Sequence, residues 1–403
     1  SHATVSRPRP SHRSMIDWFN MQGRKPRLNT VLSVMFFAAI LATCTPRLPG
    51  DSDAALALED IAAGSGGSRL KDKTPRPERR SIEFNIEGRA YQGDLYLSSQ
   101  GTKAGIVLVP GVVPRGNDDS RIVALANPLA RLQFAVLVPD LHGPRHYRVR
   151  AHDIREVADA FRHLRSREDL VPLGRVGIAG FSYGAGPVLL AALEPDIRDE
   201  VDFVVTLGGY YNLHSIVTYF TTGYFKTEPG GDWQYLQPSP YNKWVFTLSN
   251  ADLVERREDR ASLQTLAHES LEYDETASAG SSANLAPDAR AFYRLIINED
   301  PNRVPDLIRQ LPASILTDLE GLNPASRDLS TLQAEVILVH GRSDTMIPYS
   351  ESLALAQALP PEQARLFVVD GLVHVDVRIK RQDIPGLLGA MEALLAQRAR
   401  RGN

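Results

Sequence analysis

The run Gly180-Phe181-Ser182-Tyr183-Gly184 is where the chain is best equipped for chemistry. An apolar stretch, Val176 to Ala179, precedes it, and a helix-like stretch, Ala185 to Leu193, follows. A serine on a sharp strand-to-helix turn is lifted above the sheet, and the crowded backbone there demands small neighbours. A serine hydroxyl is a poor nucleophile at its ordinary pKa and needs a base. Of the ten histidines, His374 has the right position, in the loop Asp370-Gly371-Leu372-Val373-His374 after the last strand-like run. A base of this kind needs a carboxylate to hold its tautomer and stabilise the imidazolium. Asp344 lies just beyond another strand-like run, in His340-Gly341-Arg342-Ser343-Asp344; Asp370 and Asp376 are the alternatives. The oxyanion needs two N–H donors. Tyr183 is expected to give one, and Val112, in the loop after Val109, the other, with Val113 as its alternative. Pro110 and Pro114 have no N–H to give.

The other histidines read differently. His340 reads as a strand-end residue. His142, His146, His152 and His163 read as exposed. His214 and His268 belong to a later segment and touch substrate at most. No metal and no cofactor is expected. The single cysteine, Cys44, rules out an internal disulfide and zinc sites of the Cys/His cluster kind.

These side chains require a scaffold, and the hydropathy pattern supplies one. Residues 81–86 and 91–97 alternate polar and apolar around the turn at Glu87-Gly88, as a hairpin does. Continuous apolar runs at 104–109, 134–138, 176–179, 201–207, 334–340 and 365–369 read as strands buried on both faces. Helical spacing separates them at 121–132, 154–164, 185–193 and 350–359, and a closing helix covers 384–399. Strands alternating with helices predict a mostly parallel central sheet with helices on both faces. Between about Tyr210 and Ser330 the alternation stops. That stretch is rich in aromatics and carries helix-like pieces at 251–271, 287–299 and 304–311. A structureless loop of this length is not expected in a compact domain, so an inserted, mainly helical cap is. Its aromatics either line an apolar pocket or form the cap's own core.

The order Ser182, Asp344, His374, with Val138-Pro139-Asp140-Leu141-His142-Gly143 and His340-Gly341-Arg342-Ser343-Asp344 up to Pro348, resembles the α/β-hydrolase superfamily. The resemblance spans roughly 81–210 and 330–400, and is closer to the dienelactone-hydrolase-like and prolyl-oligopeptidase-like branches. Dienelactone hydrolases proper use a cysteine nucleophile, where this chain has Ser182. The resemblance implies an α/β-hydrolase fold and a serine hydrolase that cleaves a carboxylic ester or related acyl bond of a small molecule through an acyl-enzyme. The alternatives are a peptidase, amidase or thioesterase on the same fold, and a membrane-tethered, non-catalytic binding protein.

The N-terminus follows other rules. Six Lys/Arg between Arg7 and Arg27 stand against one acid, Asp17, and the apolar run Val31 to Ala42 ends in Leu41-Ala42-Thr43-Cys44. A basic region followed by a short apolar run looks like an export signal, and the last four residues resemble a lipobox with Cys44 as the lipidated residue. Residues 1–45 are therefore expected to be a leader and 46–80 a flexible linker, with the hydrolase core at 81–210 and 330–403 and the cap at 211–329. The expected location is the bacterial cell envelope, on the periplasmic side after export, lipid-anchored or alternatively signal-anchored. A net charge of −3 over 403 residues gives no basis for binding nucleic acid. The pattern leaves oligomeric state undefined.

Overall fold

The apolar runs of the sequence lie side by side in one sheet. The computed structural model describes residues 48–273, 284–374, 376–377 and 380–399. Among these residues eight strands pair in the order β1-β2-β4-β3-β5-β6-β7-β8. They are β1 (Glu78–Ile86), β2 (Arg89–Leu97), β3 (Ala104–Val109), β4 (Phe134–Pro139), β5 (Val176–Phe181), β6 (Phe203–Leu207), β7 (Glu335–Gly341) and β8 (Ala364–Val369). The β1–β2 and β2–β4 pairs are antiparallel, and every pairing from β4 to β8 is parallel. Parallel strands need crossovers, and helices provide them on both faces.

Side chains alternate across a strand, so each strand feeds two cores. Ile106 and Leu108 of β3 join one core, with α3 (Ser120–Arg131) and α13 (Ile384–Ala396). Val107 and Val109 join the other, with α4 (Asp153–Arg165), α5 (Ala185–Ala191) and α12 (Ser350–Ala358). All six residues of β3, β4 and β5 are buried.

Residues 46–80 depart from the expectation of a flexible linker. Within the described part they hold α1 (Asp53–Ala63) and α2 (Arg69–Lys73) and lead into β1, which starts at Glu78. Ser52 and Ser68 cap the two helices through their hydroxyls. Leu56 and Leu58 are buried, and α1 packs against α13 and α3. Its buried acids are paired: Glu59 with Arg69, and Asp60 with Ser68 and Lys71. The Gly-Ser run is a short joint between two capped helices; its composition hid the apolar spacing just before it. The leader, including Cys44, lies outside the described residues. No helix among the described residues is long and apolar enough to cross a membrane.

Between β6 and β7 the described chain runs as α6 (Leu213–Thr222), α7 (Pro240–Ala251), α8 (Arg257–Tyr273), α9 (Pro287–Ile296), α10 (Val304–Arg309) and α11 (Ala313–Gly321). The sequence pattern missed α7, whose start carries a Ser239 cap and Pro240 in the first turn. Phe220, Trp244, Phe246 and Phe292 are buried in a third core that also takes in Val112, Tyr183 and Ile347 from the sheet-side loops, so these aromatics hold the insertion together and seat it. Trp233 and Tyr235 are exposed.

Candidate active site

The backbone fixes Ser182 first. β5 ends at Phe181, Ser182 opens a tight turn, and α5 begins at Ala185. Ser182 has φ +53°, a left-handed conformation that costs an L-residue about 1–2 kcal/mol. The turn closes because its flanks lack side chains. A Cβ on Gly180 would lie 2.6 Å from the Gly184 carbonyl, and one on Gly184 would lie 2.6 Å from the Pro110 carbonyl. The loop after β3 runs alongside: a Cβ on Gly111 would sit 3.8 Å from Ser182 Oγ. Tyr183 and Val112, the two expected oxyanion donors, therefore belong to neighbouring pieces of backbone. The N–H groups of Val112 and Val113 have no acceptor among the described residues.

Asp344 and His374 meet at the ends of β7 and β8. His374 Nδ1 lies 2.9 Å from Asp344 Oδ2. His374 is partly buried and also has positive φ, +56°, beside the short Leu372–Val373 and Asp376–Val377 ladder. Asp344 is 1% exposed. Its Oδ1 accepts from the N–H groups of Met346, at 2.7 Å, and Ile347, at 3.0 Å. Burial alone would raise its pKa; the neighbouring His374 and His340 rings outweigh burial and hold the carboxyl well below the usual carboxylate range. It therefore stays ionised, as an acid that orients an imidazole must.

His340 has a larger part than its sequence position suggested. It is fully buried, with Nδ1 2.7 Å from Ser352 Oγ and Nε2 2.8 Å from the Ile347 carbonyl. A carbonyl only accepts, so Nε2 carries the hydrogen. The same Nε2 is 3.5 Å from Asp344 Oδ2. His340 thus clamps the loop that carries Asp344 from behind while His374 meets it from the front. A buried strand-end histidine and an exposed one look alike in sequence, so no local signal marked it.

The alternative acids are accounted for less centrally. Asp370 pairs with Arg342 and accepts from Gln382; Asp376 is described by its backbone alone. His214 pairs with Glu320 in the cap, and His163, expected to be exposed, stacks on Phe84 at 4.5 Å. Among the described residues His152, Asp153 and Glu156 bring possible metal-ligand atoms within 4.8 Å of one another. Burial pushes the Asp153 and Glu156 carboxyls up to about 7, which favours their protonated forms.

Beside the turn, a cavity of about 40 Å³ opens between sheet and cap. Val149, Tyr183, Tyr210, Leu213, Phe246 and Leu322 line it. Ser249, Asn250 and Asp318 add polar atoms to its wall, and neither Ser182 nor His374 lines it.

The model of the alpha/beta hydrolase fold family matches residues 106–376. No curated protein matches the chain. Similar solved structures include a hyperthermophilic esterase from the archaeon Pyrobaculum calidifontis, 14% identical, covering 85% of this chain and 91% of that one with TM-score 0.47. Est1E from Butyrivibrio proteoclasticus is 16% identical, covering 79% of this chain and 99% of that one with TM-score 0.43. A Mycobacterium tuberculosis puromycin-hydrolyzing peptidase is 15% identical over 80% of this chain, with TM-score 0.45; this chain spans only 39% of the peptidase's length. A family match over more than half of the chain, joined to this sheet order and this strand-turn-helix, makes the protein a member of the α/β-hydrolase family.

Proposed function

We propose that the protein is a serine hydrolase that cleaves carboxylic esters through an acyl-enzyme. The observation that carries this is the His374–Asp344 contact of 2.9 Å at the strand ends, with Ser182 held on a strained turn at the end of a central strand of the same sheet. In this reading His374 takes the proton from Ser182 Oγ as that oxygen bonds to the ester carbonyl carbon. The N–H of Tyr183 and that of Val112 or Val113 stabilise the oxyanion. His374 then returns the proton to the departing alkoxide, leaving an acyl-serine and a free alcohol. Water, deprotonated by His374, attacks the acyl-serine; the acid leaves and Ser182 regains its proton. Asp344 stays ionised throughout and stabilises the imidazolium. The apolar run before Cys44 supports export, with Cys44 as a lipid attachment point.

A fluorophosphonate probe tests the nucleophile before any natural substrate is known. The wild-type chain is expected to label covalently and hydrolyse p-nitrophenyl acetate. Ser182→Ala should lose both. Undiminished labelling or turnover in that variant would refute the assignment.

A further inference from the structure

The proposed machinery sits on four backbone loops, those of Ser182, Val112, Asp344 and His374, and the cap grips two of them at the start of α7. Asp344 Oδ1 is held by the N–H groups of Met346 and Ile347. Each N–H belongs to a peptide unit whose carbonyl faces a cap residue. In the Thr345–Met346 unit, the Thr345 carbonyl accepts from the Ser239 N–H at 2.8 Å and from the Tyr219 hydroxyl at 3.1 Å. In the Met346–Ile347 unit, the Met346 carbonyl accepts from the Asn242 side-chain amide. A trans peptide is planar, with its C=O and N–H pointing opposite ways. Fixing the carbonyl toward the cap therefore aims the N–H at Asp344. The aligned bonds also polarise one another in a low-dielectric surrounding.

The loop after β3 is treated the same way. The Tyr241 hydroxyl donates to the Val112 carbonyl at 2.8 Å. That carbonyl shares a rigid peptide unit with the Val113 N–H, and Val112's own N–H is only two dihedrals away. Tyr241 packs its ring against Tyr147 in a T-shaped contact, 6.5 Å between centroids, which steadies the hydroxyl. Asn242 is 1% exposed. Ser239, Tyr241 and Asn242 are three of four consecutive residues, and Pro240 sits between them in the first turn of α7. One helix end thus reaches the loop of the acid and the loop of the oxyanion donors.

We propose that the N-terminal end of α7, with Tyr219 of α6, is a positioning element for catalysis: Tyr241 sets the oxyanion loop, while Asn242 and Tyr219 set the two peptide units that hold Asp344. The cap is then part of the catalytic frame and remains seated during turnover. This rests on the assignment of Ser182, Asp344 and His374 above.

Three variants test it, each read by kcat and KM on p-nitrophenyl acetate, by the rate of fluorophosphonate inactivation, and by the downfield proton resonance of His374 Nδ1–H. Tyr241→Phe removes one hydroxyl and keeps the ring. It should lower kcat and the inactivation rate about tenfold with KM within twofold, and leave the His374 resonance in place. Tyr219→Phe and Asn242→Leu should lower kcat and also shift or broaden that resonance. A thermal midpoint accompanies each variant; if Asn242→Leu does not fold, Tyr219→Phe decides the acid-loop arm. Wild-type kcat and inactivation rate in Tyr241→Phe, or an unmoved resonance in the acid-loop variants, would overturn the proposal. Failure of the underlying assignment looks different: the wild-type chain itself would then not label at Ser182.

Discussion

Ser182 and His374 share a backbone feature that ordinary residues avoid. Both have positive φ, at +53° and +56°. Strain of this kind persists only where the surroundings over-determine it, and it concentrates where side chains must be aimed. At Ser182 the close approaches around Gly180 and Gly184 leave the turn no relaxed alternative. The strain predicts an asymmetry between two variants that lack the hydroxyl. Ser182→Gly relieves the left-handed conformation, and Ser182→Ala keeps it. By denaturant unfolding the glycine variant should be the more stable, by up to about 1 kcal/mol, since a side chain at positive φ costs more than glycine loses in unfolded-state entropy. The reverse order would mean that the turn is unstrained. The types and order of Ser182, Asp344 and His374 were legible in sequence because each follows a recognisable strand. His340 and Tyr241 were not. Their roles come from contacts with Ile347, Ser352 and Val112 that no periodicity encodes.

At the scale of elements, legibility followed burial. Strands covered on both faces write continuous apolar runs, and β3, β4, β7 and β8 lie within a residue or so of their expected bounds. Some helices were harder to see. α1 is the sharpest case: Leu56 and Leu58 lie on opposite sides of a helix buried from Ala54 to Asp60, yet Glu59 and Asp60 interrupt the apolar run and a Gly-Ser run follows. The acids are buried because Arg69, Lys71 and Ser68 reach back across the joint to meet them. The element is consequently part of the main core. Leu56→Ala, at a position 4% exposed, should cost about 2–4 kcal/mol in global stability, as truncation of a packed leucine does. A loss below about 0.5 kcal/mol, measured by urea unfolding, would mean that 53–63 is a detachable tether. α7 was missed for the opposite reason. Its sequence, Pro-Tyr-Asn-Lys-Trp-Val-Phe, is aromatic nearly all round, which is what a helix packed inside the cap requires and what a strand also looks like.

Across the whole molecule, core and cap communicate through buried polar groups as well as apolar contact, and this gives stability a definite pH dependence. Glu351, at the start of α12, is 4% exposed, and its Oε2 accepts from the N–H groups of Tyr211 and Asn212, where the chain leaves β6 for the cap. Burial pushes its carboxyl up to about 7, against the opposing pull of the two N–H bonds. Asp153 and Glu156 are likewise pushed up to about 7. For a carboxyl whose pKa is higher folded than unfolded, the folded state holds the proton more tightly. Its contribution is complete below the unfolded value near 4.5 and is lost as pH rises through about 7. For Glu351 the difference is on the order of 3 kcal/mol. His163, held below its ordinary value by burial, acts in the other direction below about pH 6.5. Asp344, held low, withdraws its contribution only under strongly acid conditions. Between pH 6.5 and 8 the raised carboxyls therefore set the trend, and stability should fall. Glu351→Gln keeps an oxygen to accept both N–H bonds and has no proton to lose. Its unfolding free energy should decline less than the wild type's across that interval, with the two curves diverging up to about pH 7 and the gap between them holding steady above it. Parallel curves for the two proteins, followed by urea unfolding at each pH, would mean that the junction between sheet and cap carries no titrating charge at Glu351.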